Sequence, residues 1–143
     1  MMNKDNFFWR MQRGELPPPS IGKRFNTRFE NCDAVNGSLE AHFTIGKEFT
    51  NPMGNIQGGI ISAMLDDTMG PSVAILLEND EFAPTLNLNV SFIKAGKPGN
   101  FLGKGRVVNK GRSVCYLAGE LFNETGELLA TATATAKIIK IPS

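Results

Sequence analysis

A chain of 143 residues, 41% hydrophobic and 20% charged, has the make-up of one soluble globular domain with a full core. A net charge of +1 with no basic tract gives no reason to expect a nucleic-acid partner, and no apolar run reaches membrane-spanning length. Cys32 and Cys115 belong to no ligand or disulfide pattern, and the N-terminal MMNKDNFFWRMQRGEL lacks the apolar core of a secretion signal, so a cytoplasmic protein with reduced thiols is expected.

Residues 3–13 interleave Phe7, Phe8, Trp9 and Met11 with Lys4, Asp5, Arg10 and Arg13, which predicts a short amphipathic helix docked by its aromatics. Pro17-Pro18-Pro19 ends it and starts an extended crossing, so residues 1–22 read as the opening of a single domain spanning 1–143. Residues 24–34 read as a ragged strand, and Asn36-Gly37 as a turn. Leu39, Ala41, Phe43 and Ile45 then alternate with Ser38, Glu40, His42 and Thr44, the pattern of a strand with one buried face. Residues 46–55 are loop.

From Gln57-Gly58-Gly59 onward, Ile60, Ile61, Met64, Leu65, Met69, Val73, Ile75, Leu76 and Leu77 recur three and four apart. That is helical spacing, and the apolar positions cover most of the circumference, as in a buried helix. Pro71 after Gly70 should kink or break it. The remainder alternates. Leu86, Leu88, Val90 and Phe92 mark one strand; residues 101–108 a second, with Gly103 and Gly105 as bulges or points of close backbone approach; 113–122 a third; and 128–139, with its ATATATA run, a fourth. Small residues in the last strand suggest that the helix lies against them. The chain therefore reads as α+β: one long central helix wrapped by an antiparallel sheet, with four meandering strands after the helix and at least one before it. Self-association would cover the open edges.

Asp66 and Asp67 interrupt the apolar helix. Neighbours on a helix point about 100° apart, so the two acids meet different surroundings, and a carboxylate against apolar side chains is costly unless paired or used. The alternative is a solvated stripe holding both acids, with Gly58-Gly59 serving only close packing.

Taken in order, Asn51, Gly54, Gly58-Gly59, Asp66, TLNLNVSFIKAGKPG, GRVVNKGRSVCY and NETGELLATATAT resemble hotdog-fold acyl-CoA thioesterases of the PaaI-like branch, over residues 37–140. The resemblance implies a hotdog fold, a homodimer with a continuous sheet, commonly a tetramer, and hydrolysis of acyl-CoA, which is substrate rather than cofactor. It implies that Asp66 is base or nucleophile, that Asn51 and Thr85 orient the water or the acid, and that Lys110-Gly111-Arg112-Ser113 binds coenzyme A. Gly59 and Phe92 would line the substrate, and Lys94, Lys97 and Arg106 could assist. Thr85 also fits an ordinary edge residue, Phe92 plain core, and the basic turn a solvated one. The family usually has His where this chain has Gln57. An amide donates a hydrogen bond but transfers no proton at neutral pH.

Thioester hydrolysis needs an attacking water or carboxylate and donors for the oxyanion; the thiolate leaves readily because of its low pKa. Free N–H groups at a helix start are such donors, and Gly58 lets a carbonyl approach them, with Gln57 able to add one more. Gly58 and Asp66 stand eight residues apart, about 12 Å along one helix. If both act on one carbon, Asp66 comes from one subunit and Gly58 from another. One histidine, His42, and no ligand spacing argue against a metal, and a Cys–His nucleophile is disfavoured by the apolar setting of Cys115. Hotdog hydratases or dehydratases need a histidine that this chain lacks near the helix. A non-catalytic acyl-CoA-binding module remains the other reading, because of Gln57.

Overall fold

A computed structural model describes residues 5–142; Asn3 and Lys4 of the expected first helix lie outside that range. Helix α1 is Phe7–Gln12, shorter than expected. Asn6 caps it, its Oδ1 accepting from the Trp9 N–H at 3.1 Å. The chain turns at Gly14, ahead of the prolines. Pro19 then stands at the N-cap of a second helix, α2 (Ser20–Phe25), where the sequence predicted extended chain and then strand. Proline suits a helix start because the amide it lacks would have no partner there. Asn26, left-handed at φ 52°, ends α2. The ragged strand therefore begins later, as β1 (Arg28–Asp33), and its irregularity falls at Asn31, also left-handed.

Strand β2 (Ser38–Ile45) follows the alternation, with Leu39, Ala41, Phe43 and Ile45 all buried. A short 3-10 turn (Lys47–Phe49) leads into the loop before helix α3 (Gly58–Ala74). Pro71 lies inside α3 and does not end it; the helix runs three residues further, so the expected break is absent. Strands β3 (Glu81–Phe82), β4 (Thr85–Phe92), β5 (Gly99–Lys110), β6 (Val114–Phe122), β7 (Leu128–Lys137) and β8 (Ile139–Lys140) follow. The last predicted strand is thus divided: β7 stays in the main sheet, and Ile139–Lys140 leaves it to pair with β3.

The main sheet has six antiparallel strands in the order β1-β2-β5-β6-β7-β4. Only β5, β6 and β7 form a meander. The expected four-stranded meander fails because β4 pairs with β7 at the far edge while β5 inserts beside β2. The connection between β4 and β5 passes beneath the start of α3, where the Ile56 N–H donates to the Gly96 carbonyl at 2.8 Å.

The sheet curls around α3, which buries Ile61, Met64, Leu65, Met69 and Val73 against it. Gly105 and Gly119 mark the closest approach: a Cβ on Gly105 would fall 2.5 Å from the Thr68 carbonyl oxygen, and one on Gly119 would fall 2.9 Å from Met69 Cγ. Gly103 likewise faces the Thr68 side chain. These two β5 glycines serve close approach, and the bulge in β5 lies further on, between Val107 and Asn109. The alanines of β7 (Ala130, Ala132, Ala134, Ala136) are buried, as their size suggested. Thr68 and Ser72, buried polar residues of α3, satisfy their hydroxyls on the carbonyls of Met64 and Met69. This is a hotdog fold of the α+β class.

The face of β4 expected to be buried is only partly so. Leu88 and Val90 are half-covered, whereas Leu86 and Phe92 are 58% and 57% exposed, because β4 is an edge strand.

Candidate active site

The N-terminal segment is anchored to the end of α3. Asn6 is 1% exposed, and its Nδ2 donates to the carbonyls of Ala74 (3.0 Å) and Leu77 (2.7 Å). Trp9 Nε1 donates to the Ile75 carbonyl at 3.2 Å. Carbonyls at the end of a helix lack intrahelical donors; here Asn6 and Trp9 supply donors to those of Leu77 and Ile75, and Asn6 joins the Leu77 N–H on that of Ala74. Held this way, α1, the prolines and α2 roof a groove of about 670 Å³ over α3. Ala63, Asp66, Asp67, Gly70 and Pro71 form its floor, and Ala83, Pro84 and Thr85 one end.

Asp66 and Thr85 meet in this groove. The Thr85 hydroxyl donates to Asp66 Oδ1 at 2.8 Å, and Oδ2 has no protein partner among the described residues. Thr85 therefore does more than end a strand. It fixes one carboxylate oxygen and leaves the other facing the groove. Asp67 points away from Asp66, as the helical rotation requires. Its Oδ2 accepts from the Thr27 hydroxyl at a long 3.4 Å. Burial pushes its carboxyl up to about 6; Thr27 opposes that rise, and the neighbouring Asp66 charge adds to it. Of the two acids, Asp67 is the one pressed against apolar surroundings.

Gly58 and Gly59 open α3, and their N–H groups donate to no protein acceptor among the described residues. Gln57 occupies the N-cap position without a side-chain capping bond and is exposed. A Cβ on Gly58 would lie 3.3 Å from the Phe92 ring, and one on Gly59 would meet nothing within 4 Å. Phe92 is thus not plain core: its mostly exposed ring stands beside the helix start. Asn51 holds its own loop together. Its Oδ1 accepts from the N–H groups of Met53 (3.0 Å) and Asn55 (3.1 Å), and Gly54 makes the turn at φ 79°.

Lys110-Gly111-Arg112-Ser113 forms the exposed tip of the β5–β6 hairpin. The Ser113 carbonyl accepts from Ile138 and the Pro84 carbonyl from Lys137, so this turn and Thr85 share one end of the sheet. Of the other basic candidates, Lys94 is paired with Glu127 and Arg106 with Glu120, which leaves Lys97 without an ion pair among the described residues. His42 Nε2 lies 3.1 Å from Glu30 on β1, far in sequence from the helix start. Cys32 and Cys115 are free thiols.

Sequence reasoning passed over Thr27, forty positions from Asp67, and Asn6, whose bonds to the end of α3 span about half the chain and leave no local pattern. It also passed over Asn55, whose Oδ1 is buried with no protein donor just ahead of the helix. A single asparagine among four polar loop residues carries no signal of its own.

Within one chain, Asp66–Thr85 and Gly58–Phe92 lie at opposite ends of β4. The groove reaches the first pair and not the second.

Comparison with known proteins agrees with this fold. Residues 53–130 match the thioesterase superfamily model. A structure from Ralstonia eutropha JMP134, a candidate thioesterase described as phenylacetic acid degradation-related, superimposes with a TM-score of 0.89 at 41% identity, covering 92% of this chain and 99% of that one. A candidate thioesterase of Streptococcus pneumoniae TIGR4, solved with coenzyme A, gives a TM-score of 0.73 at 25% identity over 82% of this chain and 92% of that one. A candidate esterase of Saccharolobus solfataricus is 33% identical over 95 residues, 66% of this chain and 66% of its own length. With more than half the chain inside the family model and a near-complete structural match, the chain belongs to the thioesterase superfamily.

Proposed function

We propose that the protein hydrolyses acyl-CoA thioesters, with aryl, medium-chain or hydroxylated acyl groups as substrates, at a site shared between two subunits. The observation that carries this is the placement of two half-sites on β4. At one end of the strand Thr85 holds Asp66 Oδ1 and leaves Oδ2 free, and at the other the unpaired amides of Gly58 and Gly59 stand beside Phe92. The open edge of β4 offers an unpaired ladder and the exposed Leu86 and Phe92. Pairing this edge antiparallel with its copy, around a two-fold axis near Leu88 and Asn89, exchanges the two ends. Asp66 of one protomer then faces Gly58 of its partner, which removes the ~12 Å that separates the two along one helix.

In this arrangement Asp66 Oδ2 takes the proton of a water as its oxygen attacks the thioester carbon. The oxyanion is stabilised by the Gly58 N–H at the positive end of α3. Collapse of the intermediate breaks the C–S bond. Coenzyme A leaves as a thiolate and needs no acid to assist it, which is why Gln57 is compatible with turnover. Gln57 contributes a hydrogen-bond donor. The hairpin tip carrying Lys110 and Arg112 suits the phosphates of coenzyme A, with Gly111 and Ser113 shaping the turn. Homodimers, assembled as dimers of dimers, belong to this reading, and the open edge of β4 supports the first of these contacts.

The test is thiol release across a panel of acyl-CoA thioesters. Turnover of at least one member, abolished in Asp66→Asn with binding retained, is the expected result. Tight binding without turnover of any member would replace this reading with a non-catalytic acyl-CoA-binding module, the alternative that Gln57 favours.

A further inference from the structure

We propose that Tyr116, with Asn109 and Lys137, forms a platform for the adenine nucleotide end of coenzyme A, on the face of the sheet turned away from α3. This rests on the thioesterase reading above and extends its site by residues that the chemistry at Asp66 does not touch.

Tyr116 is the chain's one tyrosine. Its neighbours on β6, Cys115 and Leu117, are buried in the core, so alternation turns Tyr116 to the outer face, where it is 52% exposed. That face is otherwise polar beside it: Thr133 and Thr135 on β7, and Asn87 and Asn89 on β4, lie in register with one another. Asn109 stands directly opposite Tyr116 on β5, and Thr135 opposite it on β7. Cross-strand partners of this kind bring side chains into reach of one another. The bulge in β5 falls here, between Val107 and Asn109, and Val108 within it is 62% exposed. Bulges re-aim side chains next to functional sites. The fold itself uses neither polar group: the Tyr116 hydroxyl and the Asn109 amide have no protein partner among the described residues.

The charge at this corner is unspent. Lys110 and Arg112 stand on the hairpin tip, and Lys137 pairs with Val114 at its base, diagonally from Tyr116. None of these cations has an ion pair among the described residues, whereas Lys140 close by is tied to Asp80 and Glu81. A nucleotide asks for a flat ring under its base, a hydrogen-bonding group at the base edge and cations for its phosphates. Adenine offers one donor and one acceptor side by side, the pattern an asparagine amide matches. A second copy of the chain is the rival occupant. It would bring the same unpaired cations to a two-fold contact here, and like charges disfavour that.

The tether has a short way to go. Thr85, which holds Asp66, pairs with Ala136, and Ala136 pairs with Cys115, next to Tyr116. Two strand spacings, about 10 Å, separate β4 from β6. The pantetheine arm passes round this end of the sheet, from the thioester on the inner face to the nucleotide on the outer one.

The experiment compares one acyl group carried on coenzyme A and on N-acetylcysteamine, a short thiol without the nucleotide. In Tyr116→Ala, KM for the coenzyme A thioester is expected to rise about tenfold, while that for the short thioester changes by less than about twofold. Tyr116→Trp keeps a ring and is expected to restore most of the loss. Lys137→Ala should raise KM for the coenzyme A thioester by a factor that shrinks as salt is added. An unaltered KM in Tyr116→Ala, an equal rise for both carriers, or a changed assembly mass by light scattering overturns the proposal. So does adenosine diphosphate competing as strongly as coenzyme A, which would assign the corner to free nucleotides. If neither thioester is turned over, the thioesterase reading fails alone, and the proposal is judged on calorimetric dissociation constants of coenzyme A for the wild type and Tyr116→Ala, by the same tenfold criterion.

Discussion

Thr68 on α3 lies so close to Gly105 on β5 that a single methyl on the glycine would fall 2.5 Å from the threonine's carbonyl oxygen. The obstacle is backbone in mid-helix, which cannot rotate aside. Gly105→Ala is expected to lower unfolding stability by about 1–3 kcal/mol or more, as overpacking does in a close-packed core. Gly59→Ala meets no atom within 4 Å and lies in the first turn of a helix, so it is expected to be neutral or slightly stabilising. Urea denaturation of the two variants side by side separates close approach from loss of glycine as such.

Asp66→Asn keeps shape and an acceptor but not the ability to take a proton. Turnover of the best acyl-CoA is expected to fall by about two to four orders of magnitude. Thr85→Val removes the donor that holds Oδ1 and leaves the carboxylate in place, so a smaller loss, on the order of tenfold, is expected. Thiol-release kinetics on both variants rank the roles; a Thr85→Val loss as large as that of Asp66→Asn would contradict the division of labour.

The shared site makes a complementation prediction. Asp66→Asn and Gly58→Val homodimers each lack one half of every site. After the two are unfolded and refolded together, a mixed dimer holds one intact site, with Asp66 from the Gly58→Val chain and Gly58 from the Asp66→Asn chain. Random pairing restores about a quarter of wild-type activity. No recovery, with mixed dimers present by mass, would place both groups in one chain's site.

The carboxyl of Asp67 sets a stability–pH relation. Its folded value is pushed up to about 6 from an ordinary 3.8, chiefly by burial. Between about pH 4 and 6 the folded chain retains a proton that the unfolded chain has lost, so this group's contribution falls as pH rises through that window. The upper bound is about 3 kcal/mol, given about 1.4 kcal/mol for each pH unit. Asp66, its neighbour on the helix, is the charged group that acts on it, and that charge raises it further. Asp67→Asn is expected to be more stable than the wild type at pH 7 and to lose that advantage below about pH 4, as measured by thermal unfolding across pH.

Asn6→Ala removes two bonds to the carbonyls that end α3. Asn6 is almost fully buried, so about 1–3 kcal/mol of stability should be lost. Because Asn6 also seats the roof, KM for acyl-CoA should rise more than kcat falls. Combined denaturation and kinetics check both.

Local pattern made much of this fold readable. Ser38–Ile45 alternates strictly because one face meets the core, and α3 is apolar around most of its surface because the sheet curls about it. The tight turns at Asn36-Gly37 and Asn123–Gly126 sit where their residues demand. What was not legible is non-local. Nothing in TLNLNVSF states that its partner is β7 rather than β5, since alternation fixes which face a strand buries and not which strand it joins. Helix α2 was hidden because three prolines suggest extended chain, although the last of them is well placed to start a helix. In the candidate site, Asp66 and Asp67 stood out together as charges among apolar residues, and only the family resemblance favoured Asp66. Thr27 did not, because its link to Asp67 spans forty positions and a lone threonine beside an arginine is unremarkable in any sequence.

The pairing of β4 with β7 also constrains how the molecule is made. Thr85 finds Ala136 and Phe92 finds Ala130, partners 51 and 38 residues further along. During synthesis the strand that carries the reactive end of the groove emerges well before the strand that receives it. Until then its ladder groups and its apolar side chains stay unmatched, at the stage when nascent chains are most prone to stick to one another. Asn87 and Asn89, interleaved with those apolar positions, make that waiting strand a poorer template for aggregation than an unbroken apolar run of the same length.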